Sequence, residues 1–196
     1  YTTFIVIAII PWTWFTYTIM SGTNTFLVNA GIIKKVYFPR EILPISIVTS
    51  GLINYLISCI IIGIFLLFSG IGFSVYILYL PLIVLIQYML QLGIIFITSS
   101  IDVYIRDAEY IINFIVQMVF YATPVLYSID MFPEKFRWIL RLNPLATIIE
   151  SYRNIFYYKT NPDFKMLGIT FVVSFIILIV GYAIFEKLKK GFAEEL

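Results

Sequence analysis

The sequence predicts an all-α membrane protein, a polytopic bundle of transmembrane helices. Hydrophobic residues make up 61% of the 196 residues and charged residues only 12%, whereas soluble domains carry about 25% charged residues. Several apolar runs reach the roughly 20 residues that a helix needs to cross a bilayer. The run Ile60–Phe68 does not alternate between polar and apolar residues as a barrel strand would, so helices are the expected spanning structure.

Five membrane spans are predicted along the chain. The first begins at Thr3 or earlier and ends at about Met20, and it is rich in aromatic residues. The other four cover residues 42–68, 75–100, 110–127 and 166–185. Because the chain begins inside an apolar run and not with Met, we expect further sequence before Tyr1. Residues 1–196 are treated as a single transmembrane domain.

The composition excludes several classes of function. The net charge of +2 gives no reason to expect a nucleic-acid partner. The chain has no histidine and a single cysteine, Cys59, which excludes histidine-based catalysis, an intrachain disulfide and a cysteine metal cluster. There is no phosphate-binding P-loop motif, so this chain cannot hydrolyse ATP alone. No carboxylate lies inside a predicted span, which argues against a proton-coupled carrier.

The basic residues indicate sidedness only weakly. Five spans put residues 21–41, residues 101–109 and the tail after residue 186 on one side, with seven Lys and Arg residues against six on the other. The count alone does not decide the orientation. The seven residues lie in short stretches beside span ends, and this density favours the cytoplasm for their side.

A basic and apolar segment joins the first two spans. It contains Lys34, Lys35 and Arg40, while Pro39 ends its helix and Pro44 begins the next one. One interpretation is an interfacial helix whose basic residues contact lipid headgroups. The other is a cytoplasmic projection that inserts into a partner protein and transmits motion. The residues alone leave both interpretations open.

The fourth predicted span carries a polar stripe. Its members recur every three or four residues on one helix face and are Tyr110, Asn113, Gln117, Tyr121 and Pro124, flanked by Phe114 and Phe120. Such a stripe must face protein or water, so it is either a helix–helix interface or the lining of a pore. Aromatic rings and amides suit a sliding sugar chain. A similar stripe on the third span, Gln87, Gln91 and Thr98, is interpreted as packing.

Arg106 and Asp107 precede the fourth span. An acidic residue suits the start of a helix because it complements the helix dipole. The residues alone therefore indicate an interfacial salt bridge.

Residues 132–158 form an amphipathic stretch that Asn143-Pro144 divides into two parts. Glu150 and Arg153 are spaced so that they can pair on one helix. The stretch is interpreted as an interfacial hairpin that Trp138 and neighbouring tyrosines anchor in the membrane surface.

Several motifs, in order along the whole chain, resemble those of one family. They are Trp12 and Trp14, the string Lys35–Pro44, the pattern Ser-x-x-x-Val-x-x-Arg-Asp at Ser99–Asp107, Thr123–Tyr127, Asn143-Pro144 and Tyr152-Arg153. Together they resemble the type-2 ABC transporter permeases that export polysaccharide, O-antigen, capsule or teichoic acid. That family has six spans, and the amphipathic helix and first span at its N-terminus have no counterpart here. The chain would supply spans two to six.

The resemblance implies three groups of site residues. A cytoplasmic coupling helix would cover residues 26–38 and contact the ATPase through Asn29, Gly31, Ile32, Lys34, Lys35, Tyr37, Phe38, Pro39 and Arg40. The substrate path would be lined by Arg106, Asp107, Tyr110, Asn113, Phe114, Gln117 and Tyr121. Extracellular re-entrant gate helices would cover residues 132–158, with gate residues Arg137, Trp138, Pro144, Glu150 and Arg153.

The resemblance also implies a function. The chain would be a multi-pass permease of the bacterial cytoplasmic membrane that moves an undecaprenyl-linked glycan outward, not an enzyme. A second copy of itself and two ABC ATPase subunits would be its partners, and ATP and Mg would bind to the ATPases, with no cofactor in this chain. The alternatives are a drug or lipid exporter of the same superfamily, a membrane-embedded glycan-lipid enzyme, and a structural membrane subunit.

Overall fold

The structure, a computed structural model, describes residues 1–36, 39–131, 137, 140 and 142–195. Every regular element in these residues is helical, which confirms the predicted all-α class. The helices are α1 (Thr2–Thr23), α2 (Thr25–Val28), α3 (Ala30–Ile33), α4 (Ile42–Phe68), α5 (Leu80–Tyr104), α6 (Ala108–Ala122), α7 (Pro144–Arg153), α8 (Phe164–Leu188) and α9 (Phe192–Glu195). Single 3-10 or π turns occur at Val75–Tyr79, Ile129–Met131, Asn154–Tyr158 and Lys189–Gly191.

Within the described residues, four helical segments are long and apolar enough to cross a membrane. They are Thr2–Thr23, Ile42–Phe68, Val75–Tyr104 and Phe164–Gly191. The third joins the 3-10 turn to α5, and the fourth joins α8 to the turn that follows it. These segments match four of the five predicted spans.

The remaining predicted span is a correction. The sequence predicts a helix over residues 110–127, but α6 ends at Ala122 after 15 residues. At about 1.5 Å per residue it is roughly 22 Å long, shorter than the roughly 30 Å hydrocarbon layer. Pro124 explains the end of the helix, because a proline pushes the residue before it out of helical backbone. Thr123 is indeed extended, with φ −108° and ψ 135°.

The centre of the bundle consists of α1, α5 and α7, and α4 and α8 lie outside. About half of the apolar window of α1 and of α5 is buried, 56% and 50%, against 22% in α4 and in α8. The short helix α7 is buried along most of its length, including Leu145, Ile148 and Tyr152. Its Asn143 cap accepts a hydrogen bond from the backbone N–H of Leu145 at 3.0 Å, and Pro144 occupies the first turn, where its missing N–H costs nothing.

Two glycines allow α5 and α8 to touch backbone to backbone. A Cβ added to Gly181 would lie 2.3 Å from the carbonyl oxygen of Gly93, and one added to Gly93 would lie 2.7 Å from the backbone nitrogen of Leu178. No larger residue fits at either position without moving a helix. Small residues at such crossings are the usual means of packing helices tightly in a membrane.

The stretches predicted to share one side of the membrane also share one end of the bundle, here called the basic end. Asn24 donates to Glu109 at 3.1 Å, which joins the end of α1 to the start of α6. The hydroxyl of Tyr104 at the end of α5 donates to the carbonyl of Leu188 at 2.7 Å. The opposite end holds the starts of α1 and α8 and the end of α7.

The predicted coupling helix over residues 26–38 is not one continuous helix. Its described part contains the end of α2 and all of α3, each only four residues long, with a turn at Asn29 between them. The side-chain amide of Asn29 donates to the carbonyl of Thr25 at 2.8 Å, a local bond that competes with helix continuation. Tyr37 and Phe38 lie outside the described residues.

Candidate functional site

Residues 26–40 contain the residues predicted to contact the ATPase and are here called the coupling segment after that prediction. Several of its described residues are exposed at the basic end. Gly31, Ile32, Lys34 and Lys35 are all exposed, and a Cβ added to Gly31 would meet nothing within 4 Å. Ile32 is 56% exposed although it is large and apolar. Val28 and Val36 are also exposed, and several exposed apolar side chains in one segment, unlike a single one, indicate a contact surface.

The next residues are held by the C-terminal tail. Arg40 donates to the carbonyl of Lys189, and its guanidinium lies 5.7 Å from the centroid of the Phe192 ring. The ammonium of Lys189 lies 2.5 Å from the carboxylate of Glu41 and also contacts Glu186. The hydrogen bond from Lys189 lowers the pKa of Glu41 below its ordinary value. Sequence analysis missed this contact because the two segments are far apart in the chain.

The coupling segment and the tail enclose a groove, here called the basic-end groove. It has a volume of about 480 Å³ and is lined by Ile33, Val36, Pro39, Arg40, Glu41, Lys189 and Lys190. One wall is apolar and comes from the coupling segment. The other is charged and comes from the start of α4 and the tail.

The predicted path residues lie at the start of α6 and along its outward face. Arg106 and Asp107 are both exposed before the helix begins. Tyr110 is 73% exposed, Phe114 62% and Tyr121 74%. Gln117 is exposed as well. The structure therefore brings most of this predicted stripe together on one face that α1, α5 and α8 do not cover.

Asn113 departs from this stripe. It is half-buried, and its side-chain oxygen is buried without a hydrogen-bond partner among the described residues. The opposite face of α6, with Ile112, Val116 and Val119, borders an apolar cavity of about 300 Å³ that α1, α5 and α7 also line. Ile111, Ile115 and Met118 are exposed as well, at 56%, 50% and 57%, so the outward side of α6 carries apolar side chains beside the predicted stripe.

The predicted gate residues occupy different environments. Trp138 lies outside the described residues, and Arg137 is half-buried. Pro144 begins α7, and Glu150 is half-buried near the end of that helix. The amide of Asn143 donates to the hydroxyl of Thr123 at 2.9 Å, which fixes the start of α7 against the end of α6.

Arg153 is buried, with 2% exposure. Its guanidinium donates to the carbonyls of Pro124 at 2.5 Å, Val125 at 2.6 Å and Tyr127 at 3.0 Å, and it lies 3.7 Å from the centroid of the Phe4 ring. Burial lowers the pKa of Arg153 to about 10, so it stays charged at neutral pH. Arg153 supports the non-helical backbone after α6, where carbonyls have no helical partner.

The sequence predicted that Gln87 packs between helices but did not indicate which groups it binds. The side-chain nitrogen of Gln87 donates to the carbonyl of Pro11 at 2.9 Å, and its oxygen accepts from the hydroxyl of Tyr152 at 2.9 Å. All of these groups are buried. The side-chain amide of Gln87 therefore joins α5 to α1 and to α7. It also gives the buried Tyr152 hydroxyl a hydrogen-bond acceptor inside the core.

The sequence did not predict a groove of about 280 Å³ between α1 and α4, whose lining surface is mainly apolar. The polar and aromatic residues that line it are Thr13, Trp14, Tyr17, Asn54, Tyr55 and Ser58. The Trp14 indole N–H and the Tyr55 hydroxyl are buried without a hydrogen-bond partner in the described part of the chain. The available signal was polar residues four apart in otherwise apolar spans, Asn54 and Ser58.

The described helices are those of a multi-pass α-helical membrane protein. The family model described as ABC-2 type transporter matches residues 2–157. The chain belongs to this family, which confirms the resemblance found in its motifs. It is accordingly a transport subunit of the inner membrane, in a family whose members associate with an ABC ATPase, and not a catalytic enzyme.

Curated relatives resemble the chain over nearly its whole length. Two proteins of Klebsiella pneumoniae, each named O-antigen export system permease protein RfbA, are 38% and 36% identical to it over 99% of this chain and 75% of their own length. A protein of the same name from Myxococcus xanthus is 30% identical over 98% of this chain and 75% of its own length.

Proposed function

We propose that this chain is the permease of an exporter that moves a lipid-linked polysaccharide of the O-antigen type out across the inner membrane. Relatives that bear the name of an O-antigen export permease support the substrate class. The observation that carries the proposal is the outward face of α6, where Tyr110, Phe114, Gln117 and Tyr121 lie exposed in a membrane-embedded protein.

The chemistry of that face suits a sugar chain. Aromatic rings offer flat apolar surfaces to the C–H faces of sugars, and the Gln117 amide can donate and accept hydrogen bonds. None of these side chains is charged, so a neutral glycan can slide along them without a strong stopping point. Arg106, exposed at the basic end, is suited to bind the pyrophosphate of an undecaprenyl-linked carrier through charge-assisted hydrogen bonds.

A single copy leaves this face open, and one bundle is too small to enclose a hydrated glycan. A second copy facing the first would close a path between two α6 helices. Two ATPase subunits would dock on the two exposed coupling segments and bind ATP and Mg. The basic end would then be cytoplasmic, and residues 132–158 would regulate the outer end as gate helices, with Arg153 and Glu150 positioning α7.

The test uses a strain that lacks its own O-antigen permease and expresses the cognate ATPase. Wild-type chain, as the full-length protein, is expected to restore polysaccharide at the cell surface. Phe114→Ala, alone and with Gln117→Leu, is expected to lower surface polysaccharide several-fold while membrane insertion and ATPase recovery stay unchanged.

Phe175→Ala is the matched control, because Phe175 is also an exposed phenylalanine, 47% exposed, but lies on α8. Equal export by the two phenylalanine variants would refute the path assignment. Restored efflux of a hydrophobic drug or lipid, without surface polysaccharide, would favour the alternative exporter class.

A further inference from the structure

The basic-end groove is formed by two parts of the chain that sequence analysis treated separately. Ile33, Val36 and Pro39 form its apolar wall, and Lys189 and Lys190 of the tail line the other side. We propose that the tail is a second component of the ATPase-binding surface and that this groove receives an apolar side chain of the ATPase flanked by acidic residues. The inference rests on the proposed function and adds a site and a partner chemistry to it.

The tail is fixed relative to the coupling segment by apolar packing. Phe192 is fully buried, and its ring centroid lies 4.9 Å from that of Phe26 in α2 and 6.0 Å from that of Phe185 in α8. The coupling segment and the tail therefore share one small core. A force applied to either part reaches α8 as well as α4.

Polar contacts fix the same arrangement. Arg40 binds the carbonyl of Lys189, and Tyr104 binds that of Leu188. A Cβ added to Gly191 would lie 2.4 Å from the Tyr104 hydroxyl, so a larger residue there would have to displace this hydroxyl from the tail. These side-chain donors bind carbonyls at the end of α8 and in the 3-10 turn that follows it.

The charge of the groove selects the partner. Lys189 is already engaged by Glu41 and Glu186, whereas Lys190 is exposed and makes no ion pair among the described residues. The exposed Lys34 and Lys35 add positive charge beside the apolar wall. An acidic protein surface with an apolar anchor complements this arrangement, because charge complementarity steers association and an apolar anchor in a pocket supplies affinity.

The volume of about 480 Å³ falls within the roughly 300–1,000 Å³ of ordinary binding pockets. An anionic lipid headgroup would also be attracted to Lys190. The crosslinking experiment below distinguishes a lipid from a protein in this groove.

The test is photo-crosslinking in membranes that contain the full permease and its ATPase, with p-benzoylphenylalanine at one position at a time. Gly31→p-benzoylphenylalanine reports on the coupling segment, and the same change at Lys190 reports on the groove. Lys187 is the matched control, because it is an exposed lysine of the same region but does not line the groove. ATPase adducts are expected from positions 31 and 190 and not from position 187.

Adducts at position 31 without adducts at position 190 would overturn this inference and leave the proposed function intact. Adducts at neither position would contradict both. Lipid adducts alone at position 190, or equal ATPase adducts at positions 187 and 190, would also overturn the groove assignment.

A charge reversal gives a second readout. Lys190→Glu is expected to lower recovery of the ATPase with the purified permease about tenfold, since like charges across an interface disfavour association. Lys187→Glu is expected to change it less than about twofold. Equal loss in both variants would indicate a general dependence on the charge of the tail and would refute the specific role of Lys190.

Discussion

The polar side chains of α5 and α6 resemble each other in the sequence but differ in the structure. Gln87 of α5 is fully enclosed, and both ends of its amide bind groups of other helices. Gln117 of α6 has the same side chain in the next helix, yet it is exposed on a face that no other described helix covers. Buried polar groups that are satisfied hold a core together, whereas exposed ones in a membrane protein must meet water, another protein or a substrate.

This difference divides the polar residues into a group that stabilises the fold and a group that faces outward from α6. The supporting group includes Gln87, Tyr152 and Arg153, which fix α7 and the backbone after α6. The outward group lies on α6 itself. The first group therefore keeps α6 in the position that leaves its outward face exposed. Substitutions in the first group are expected to change the stability of the protein, and substitutions in the second group are expected to change the properties of the outward face.

The largest effect is expected from Arg153→Met. The variant removes donors to the carbonyls of Pro124, Val125 and Tyr127 and leaves these groups inside the protein, where each loss costs about 1–3 kcal/mol. We expect a destabilisation of about 3 kcal/mol or more, measured as a fall in the thermal unfolding midpoint of the purified protein in detergent. Arg106→Met, at an exposed arginine, is the control and is expected to change stability by less than about 0.5 kcal/mol.

If Arg153→Met keeps the wild-type midpoint but abolishes export, Arg153 acts directly in the gate and not as a support. That result would move Arg153 from the first group to the second. A loss of both stability and export would agree with the supporting role.

The next effect comes from two glutamines one turn apart on α5. Gln87→Leu leaves the Pro11 carbonyl and the Tyr152 hydroxyl buried without a partner and is expected to cost about 1–3 kcal/mol. Gln91 is buried too, but neither end of its amide has a partner among the described residues. Gln91→Leu is therefore expected to be neutral or stabilising. The same unfolding measurement, made on both variants, checks the pair, and an equal loss at both sites would contradict the assignment.

Thiol labelling tests the boundary of the outward face. Single cysteines at Gln117 and Tyr121 are expected to react quickly with a water-soluble maleimide, and those at Ile112 and Val119 slowly, with Cys59→Ser as background. Asn113→Cys is expected to react at an intermediate rate, because Asn113 is half-buried. Uniform rates around the helix would indicate that α6 has no solvent-facing side.

The smallest effect concerns the charges of the basic end. Lys189 holds the pKa of Glu41 below its ordinary value, so this contact stabilises the folded protein above the unfolded pKa and is lost as the pH falls through the folded one. Lys189→Gln is expected to cost less than about 1 kcal/mol at neutral pH. The difference from wild type should shrink between about pH 5 and pH 3; a difference that grows on acidification would exclude Glu41 as its cause.

Sequence-based prediction succeeded for features that depend on composition and local spacing. Long apolar runs such as Ile42–Phe68 identify spans because the bilayer sets their minimum length. The three-to-four-residue spacing on α6 places its tyrosines on one face whatever the surroundings. The spacing did not predict that Asn113 is half-buried, because the burial of a residue at the edge of the outward face depends on the neighbouring helices.

The end of α6 shows a limit of a different kind. Hydropathy continues to Tyr127, but Pro124 and the extended Thr123 end the helix at Ala122. The proline was visible in the sequence, and the local rule could have predicted this end. The donors that satisfy the freed carbonyls could not be predicted, since they come from Arg153, nearly thirty residues further along the chain.

By itself the sequence determined that this protein crosses the membrane as helices, where four of its five predicted spans lie, and to which family it belongs, because these follow from hydrophobic length and from motifs in order. Only the tertiary structure decided which polar side chains bind other helices inside the protein and which face outward. Gln87 and Gln117 have identical chemistry, and their difference arises from the helices that surround them. The contact of the tail with the coupling segment was decided in the same way, since no local pattern relates Arg40 to Lys189.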